Sequence, residues 1–184
     1  MKQIRIHGRG GQGVVTSAEL IAVSAFGDGK EAQAFPYFGV ERRGAPIMAF
    51  ARIDEKPIRL REHVYHPDVI IVQDATLLGT VNLAEGAQKE VLMIVNTTKP
   101  AKEVSKLSGL PEKNIVTIDA TKIALETIGR NIVNTVILGA FSKITGLISI
   151  KSLETAIKEQ LKSKGEDIVK KNIDAIEKAY ASVN

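Results

Sequence analysis

The 184-residue chain has no cysteine and no tryptophan, and its aromatic content stops at five Phe and three Tyr. Iron–sulfur clusters and finger-type zinc sites both need thiolates, so this chain supplies neither, and it has no thiol nucleophile. Any electron transfer in which it takes part belongs to a partner. The lack of cysteine also removes any disulfide argument for secretion. With so few aromatics, a core must be built from Ile, Val, Leu and Ala. No apolar run approaches the roughly 18 residues of a membrane span, and the N-terminus enters a strand pattern with no apolar signal segment. No membrane association is expected, and the cytoplasm is the default location. A strong excess of one charge is missing too: 25 Lys and Arg stand against 21 Asp and Glu. Many of the lysines, such as Lys158, Lys162, Lys170 and Lys178, alternate with Glu154, Glu159, Asp174 and Glu177 at helical spacing. That pattern reads as a solvated helix face, and no nucleic-acid partner is expected.

The length corresponds to one domain spanning 1–184. Lys2 to His7 alternates polar and apolar residues as a strand does. Gly8-Arg-Gly-Gly-Gln-Gly13 follows, then a helical pattern from Val14 to Phe26 that stops at Gly27-Asp28-Gly29. Glu31 to Tyr37 and Ile47 to Ile53 read as strands, with Ile58 to Leu60 expected to complete a hairpin after the turn at Pro57. Three doubly apolar runs, Val69–Val72, Val91–Val95 and Ile115–Ile118, read as strands covered on both faces. Helices are expected near Leu77 to Gln88, over Ala101 to Ser108, after Asp119, and over Val133–Ile144, Ser149–Lys162 and Asp167–Ser182. The predicted fold is three-layer α/β/α, with a mixed, mostly parallel sheet and a helical C-terminal end.

Gly8, Gly10 and Gly13 satisfy G-x-G-x-x-G between a strand and a helix. Glycines let the backbone turn sharply and approach an anion, and the free amides of a helix start attract negative charge. A phosphate or diphosphate is the natural guest; a tight turn packed against a neighbour is the other reading. A dinucleotide fold of the NAD type requires an acid at the end of the second strand. That strand ends in Phe35-Pro36-Tyr37, Asp28 precedes it and Glu41 lies well beyond it, which counts against NAD.

Glu41-Arg42-Arg43-Gly44 stands in the next loop instead. Its two arginines offer planar, multi-donor contacts to phosphate. If the first two strands are parallel, both loops lie at the same carboxyl edge, where α/β sheets bind ligands. Gly8, Arg9, Gly10, Gly11, Gln12, Gly13, Arg42 and Arg43 are therefore the candidate binding residues. An interface role for Arg42 and Arg43, pairing with carboxylates of another subunit, stands beside that reading. Phe35-Pro-Tyr-Phe38 places three aromatics within four positions, as a buried interface would. His63 and His66 read as surface histidines in a turn, His7 as a satisfied structural histidine, and Asp74 as a helix cap through Thr76. No catalytic residue and no metal site is assigned.

Gly8-Arg-Gly-Gly-Gln-Gly-Val14 followed by Gln33-Ala-Phe-Pro-Tyr-Phe-Gly-Val-Glu-Arg-Arg-Gly-Ala-Pro46 resembles the gamma subunit of 2-oxoacid:ferredoxin oxidoreductases, and most the pyruvate (pyruvate synthase) branch. The resemblance continues through Pro67-Asp68-Val69 to Asp74, Asn96-Thr97, Asp119-Ala-Thr121 and Asn134 to Ala140. It implies an accessory subunit of an enzyme that converts pyruvate, coenzyme A and oxidised ferredoxin to acetyl-CoA, carbon dioxide and reduced ferredoxin. Thiamine diphosphate and the iron–sulfur clusters would lie in the alpha, beta and delta partners, and ferredoxin would be met through the complex. The two loops would lie near the coenzyme A phosphates, and the isolated chain would be inactive. A free-standing flavin or NADP module and a pure scaffold subunit are the competing readings.

Overall fold

The computed structural model describes residues 1–37 and 43–183. Six strands, β1 (Lys2–Arg9), β2 (Glu31–Pro36), β3 (Pro46–Asp54), β4 (Val69–Val72), β5 (Leu92–Asn96) and β6 (Ile115–Ile118), form one sheet in the order β2-β3-β1-β4-β5-β6. β3 runs antiparallel to both β1 and β2, while β1, β4, β5 and β6 are mutually parallel. β2 therefore points the same way as β1, and the loops after both strands emerge at one edge. The fold is α/β with a mixed, mostly parallel sheet, as expected.

Among the described residues six helices pack against it: α1 (Val14–Gly27), α2 (Ala101–Ser108), α3 (Ala120–Thr127), α4 (Val133–Thr145), α5 (Ile150–Leu161) and α6 (Glu166–Ala181). The period-2 pattern of the strands decides which residues meet them. Ile4, Ile6, Ala49, Ala51, Val69, Ile71 and Ile94 face the larger core, with α1, α4, α5 and α6. Ile70, Val72, Met93 and Val95 face a smaller core beneath α2 and the 75–91 segment. α4 is buried from Val133 to Ser142: Val136 to Phe141 carries no polar side chain, and the hydroxyls of Thr135 and Ser142 donate to Asn172 and to the Ile148 carbonyl. Full burial of each such Ile or Val stabilises the fold by about 1.5–3 kcal/mol.

The sheet's second face over β2, β3 and β1 is different. Gln3, Arg5, His7, Phe35, Phe50 and Arg52 occupy it, and the irregular 55–66 segment crosses it in place of a helix. Arg52 is fully buried and donates to the carbonyls of Glu62 and His63. Arg5 is 5% exposed and donates to the carbonyls of Leu83 and Glu85 at 2.9 and 2.7 Å.

Two elements differ from the sequence expectation. Ile58 to Leu60 forms no strand; the Ile58 carbonyl accepts from the Gln33 side chain, and the segment then turns over the sheet face. The expected helix over Leu77–Gln88 is a three-residue 3₁₀ turn, Ala75–Leu77, followed by further turns. Gly86 explains part of this. Its φ of 69° is left-handed, and a Cβ there would lie 1.9 Å from the Tyr65 carbonyl oxygen.

Candidate functional site

β1 extends through Gly8 and Arg9, which pair with Ile47 and Pro46 of β3, so the loop proper is Gly10–Gly13. Gly10 then forms a parallel bridge with Arg43. The Gly10 N–H donates to the Ala45 carbonyl at 2.9 Å, and the Gly44 N–H donates to the Gly10 carbonyl at 3.0 Å. The glycine loop and the basic loop are thus brought together at one sheet edge. Arg42 lies outside the described residues.

The predicted site residues divide into builders and liners. The Arg9 guanidinium is committed inward: it lies 3.3 Å from Asp74 and donates to Thr76 Oγ1 and to the Gly44 carbonyl. The Gln12 side chain accepts from the Arg9 N–H at 2.7 Å and donates to Asp74 at 2.7 Å. Arg9 and Gln12 therefore stitch the loop to the end of β4, while Arg43 is exposed and runs over Gly11. Burial raises the pKa of the Asp74 carboxyl, but hydrogen bonds from Thr76 and Gln12 and the charge of Arg9 outweigh it and hold the group below the ordinary carboxylate range. Asp74 caps through the Thr76 N–H, as expected, although the element it caps is the short 3₁₀ turn.

Gly13 starts α1 in the left-handed conformation, at φ 73°. A Cβ there would sit 2.5 Å from Asn134 Nδ2, so only glycine lets the starts of α1 and α4 approach this closely. No side chain caps α1, and its first turn holds no acid. The amides of Val14, Val15 and Thr16 have no intrahelical acceptor and leave a partial positive charge at that end. They border a groove of about 670 Å³ lined by Gly10, Gly11, Gly13, Val14, Thr16 and Arg43, together with Val15 and Ile47, with no carboxylate among them. Its chemistry is that of an anion site.

His66 falls where it was expected, while His63 and His7 do not. His66 is exposed, with Nδ1 3.0 Å from the Gly86 carbonyl. His63 is half-buried and stacks on Tyr37 and Phe50, with centroids 4.8 and 5.5 Å apart. His7 is 3% exposed but not satisfied: its Nε2 has no partner among the described residues. Burial, and then the charge of Arg5, push its pKa down to about 3, so the ring is neutral at physiological pH. No metal-binding cluster of His, Asp and Glu occurs among the described residues, and no helix is long and apolar enough to cross a membrane.

Four polar residues near the loop were given no role from the sequence: Ser17, Gln73, Asn134 and Thr121. Gln73 carried a local signal, because it directly follows the fully apolar Val-Ile-Ile-Val of β4. Ser17 lies inside a helix pattern and gave none.

The family model for pyruvate ferredoxin/flavodoxin oxidoreductase matches residues 3–182. The chain is 53% identical, over 97% of each sequence, to the protein of Pyrococcus abyssi named pyruvate/ketoisovalerate oxidoreductases common subunit gamma. It superposes on the crystal structure of the pyruvate oxidoreductase subunit PORC of Thermotoga maritima with a TM-score of 0.86 and 37% identity, covering 98% of this chain and 95% of that one. A third similarity, at 21% identity and a TM-score of 0.75, is one of fold alone. It covers 98% of this chain and 30% of a Magnetococcus marinus 2-oxoglutarate:ferredoxin oxidoreductase solved with 2-oxoglutarate, coenzyme A and succinyl-CoA. With its cysteine-free sequence, its mixed sheet and its near end-to-end match to such subunits, the chain belongs to the pyruvate ferredoxin/flavodoxin oxidoreductase family, as a gamma subunit working with other subunits of the enzyme.

Proposed function

We propose that this subunit holds the phosphates of coenzyme A in the groove between the start of α1 and Arg43. The enzyme it serves oxidatively decarboxylates pyruvate, passing the acetyl group to coenzyme A and electrons to ferredoxin. The alpha, beta and delta partners carry the thiamine diphosphate and iron–sulfur clusters. The observation that carries the reading is the meeting of an uncapped, acid-free helix start with an exposed arginine in a groove that no carboxylate lines among the described residues. A diphosphate there meets amide dipoles and a guanidinium.

An NAD-type dinucleotide would need a free acid near the end of β2 to take the ribose hydroxyl. Asp28 accepts from the Ser149 N–H and from the hydroxyls of Ser149 and Ser152, so it is committed to capping α5. Subunit contact is a second role for the chain, favoured by the aromatic face around Phe35, Tyr37, Phe50 and Tyr65. Tyr37 is 40% and Tyr65 is 60% exposed there, a state that an adjoining subunit would relieve.

Calorimetric titration of the full chain with coenzyme A, inorganic pyrophosphate and NADP tests the reading. Coenzyme A and pyrophosphate are expected to bind, and Arg43→Glu is expected to weaken both at least tenfold with an unchanged circular dichroism spectrum. Tight binding of NADP, or coenzyme A affinity indifferent to Arg43→Glu, would overturn it.

A further inference from the structure

On the sheet face that the 55–66 segment crosses lies a second cavity, of about 580 Å³. Arg5 and His7 of β1, with Met48 and Phe50 opposite them on β3, form its floor. Tyr37, His63 and Tyr65 make one wall, and Asn82, Glu85 and Gly86, in the turns after β4, make the other. The aromatic wall is continuous. The His63 ring lies 4.8 Å from Tyr37, 5.5 Å from Phe50 and 6.3 Å from Tyr65, centroid to centroid.

The floor holds a cation that meets only neutral acceptors. Arg5 is 5% exposed, and its Nη2 donates to the carbonyls of Leu83 and Glu85. Its Nε is enclosed without a partner. Nη1 also makes no bond among the described residues, but unlike Nε it is not enclosed, and Arg5 lines the cavity. Buried guanidiniums normally have their donors matched and their charge answered. Glu85 attracts Arg5 from a distance, but Glu85 is exposed at the rim, where water and salt screen it. An acid entering the cavity would touch Arg5 inside the protein, where a charge-assisted bond is strong, and would feel Glu85 only through solvent. A cationic group would meet Arg5 at the same point and be repelled.

The surface around the cavity continues this chemistry. Tyr37, Leu60 and Tyr65 are 40%, 40% and 60% exposed. Arg59 and Arg61, which flank Leu60, are exposed as well, against a single acid, Glu62, in the stretch from Arg59 to His66. Tyrosines and arginines around a formed pocket are the composition of an interface centre, and positive groups there complement an acidic partner.

We propose that this cavity seats an acidic segment of an adjoining subunit. An apolar side chain of that segment packs on Phe50, His63 and Tyr65, and a carboxylate beside it accepts from Arg5 Nη1. The proposal rests on the subunit-contact reading above and gives that contact its chemistry.

The test has two arms. In the first, the full chain, ¹⁵N-labelled at histidine, is titrated by NMR with 3-phenylpropionate, 3-phenylpropanol and 3-phenylpropylamine, which share a ring and differ in the end group. The acid is expected to shift the His7 and His63 ring signals and to bind at least tenfold more tightly than the alcohol or the amine. Tyr65→Glu, at the exposed rim, is expected to weaken the acid at least fivefold with an unchanged circular dichroism spectrum. In the second arm, hydrogen exchange over residues 60–66 and 81–86 is compared between the free chain and the enzyme assembled with its other subunits. Assembly is expected to slow it at least tenfold. Protection on assembly without a preference for the acid refutes the acidic segment and leaves subunit contact standing. Acid affinity indifferent to Tyr65→Glu also refutes it, since the acid would then sit elsewhere. If assembly leaves exchange unchanged, the contact reading and the proposal both fall, and acid binding by the free chain would mark the cavity as a site for a free acid.

Discussion

Replacing His7 with Gln is expected to remove a large part of the protein's sensitivity to acid. The ring lies inside the sheet face beside Arg5, and its pKa falls from 6.5 to about 3. Because the folded value lies below the unfolded one, the unfolded chain binds the proton more tightly between those limits. His7 therefore costs nothing at pH 7, and stability falls as pH drops through 6.5 toward 3. At pH 4 the unfolded ring is protonated and the folded ring is neutral. At ~1.4 kcal/mol per pH unit below 6.5, the loss between pH 7 and pH 4 is about 3 kcal/mol. Carboxylates held below their ordinary range, Asp28 and Asp74 among them, also lose stability in acid. The wild type must therefore be compared with His7→Gln at each pH. Any fixed cost of the substitution appears as a constant offset, while the His7 contribution appears as a slope. Urea unfolding followed by circular dichroism at half-unit steps measures it; the wild-type midpoint is expected to fall relative to the variant by roughly 1.5 M between pH 7 and pH 4, for a slope of about 2 kcal/mol per M. A flat difference curve, or an NMR titration placing the His7 pKa near 6, would refute the reasoning, and Nε2 would then have a partner.

Asp28→Ala removes three hydrogen bonds at the start of α5 and is expected to lower stability by about 2 kcal/mol, read as a shifted urea midpoint at pH 7. That contribution is present above the ordinary carboxylate range and fades as pH falls through the depressed Asp28 value, so wild type and variant should converge in acid. Gly13→Ala places a methyl against Asn134 in a left-handed backbone and should cost about 1–3 kcal/mol, with the loss of coenzyme A binding measured alongside. Arg9→Met is expected to weaken coenzyme A less than Arg43→Glu does, because Arg9 positions the loop and Arg43 faces the groove. The purified chain alone should not reduce a viologen dye with pyruvate and coenzyme A, since it has no thiolate for a cluster; turnover by the lone chain would contradict its reading as an accessory subunit.

Local sequence determined a good deal by itself. The missing cysteines alone exclude a thiolate-held iron–sulfur cluster in this chain. Apolar runs such as Val69–Val72 and the 3.6-residue repeat beyond Val133 specified strands and helices, because burial on both faces or on one stripe leaves a periodic trace. The glycine loop was legible for the same reason: a strand, a sharp turn and a helix start are all local events. Other features depended on which surfaces meet. Arg9 and Gln12 were expected as ligand contacts; that they also fasten the loop was not legible, because Asp74 and Thr76, more than 60 residues away, reach them only once β4 pairs with β1. Arg5 and His7 alternated with Ile4 and Ile6 as a solvent-facing row would, yet the 55–66 segment and the turns after β4 bury them. The stretch from Leu77 to Gln88 had helical spacing, but Gly86 must press against the Tyr65 carbonyl, and no helix satisfies that contact. Periodicity states which face of an element is apolar. Only the packed chain decides what covers the other face.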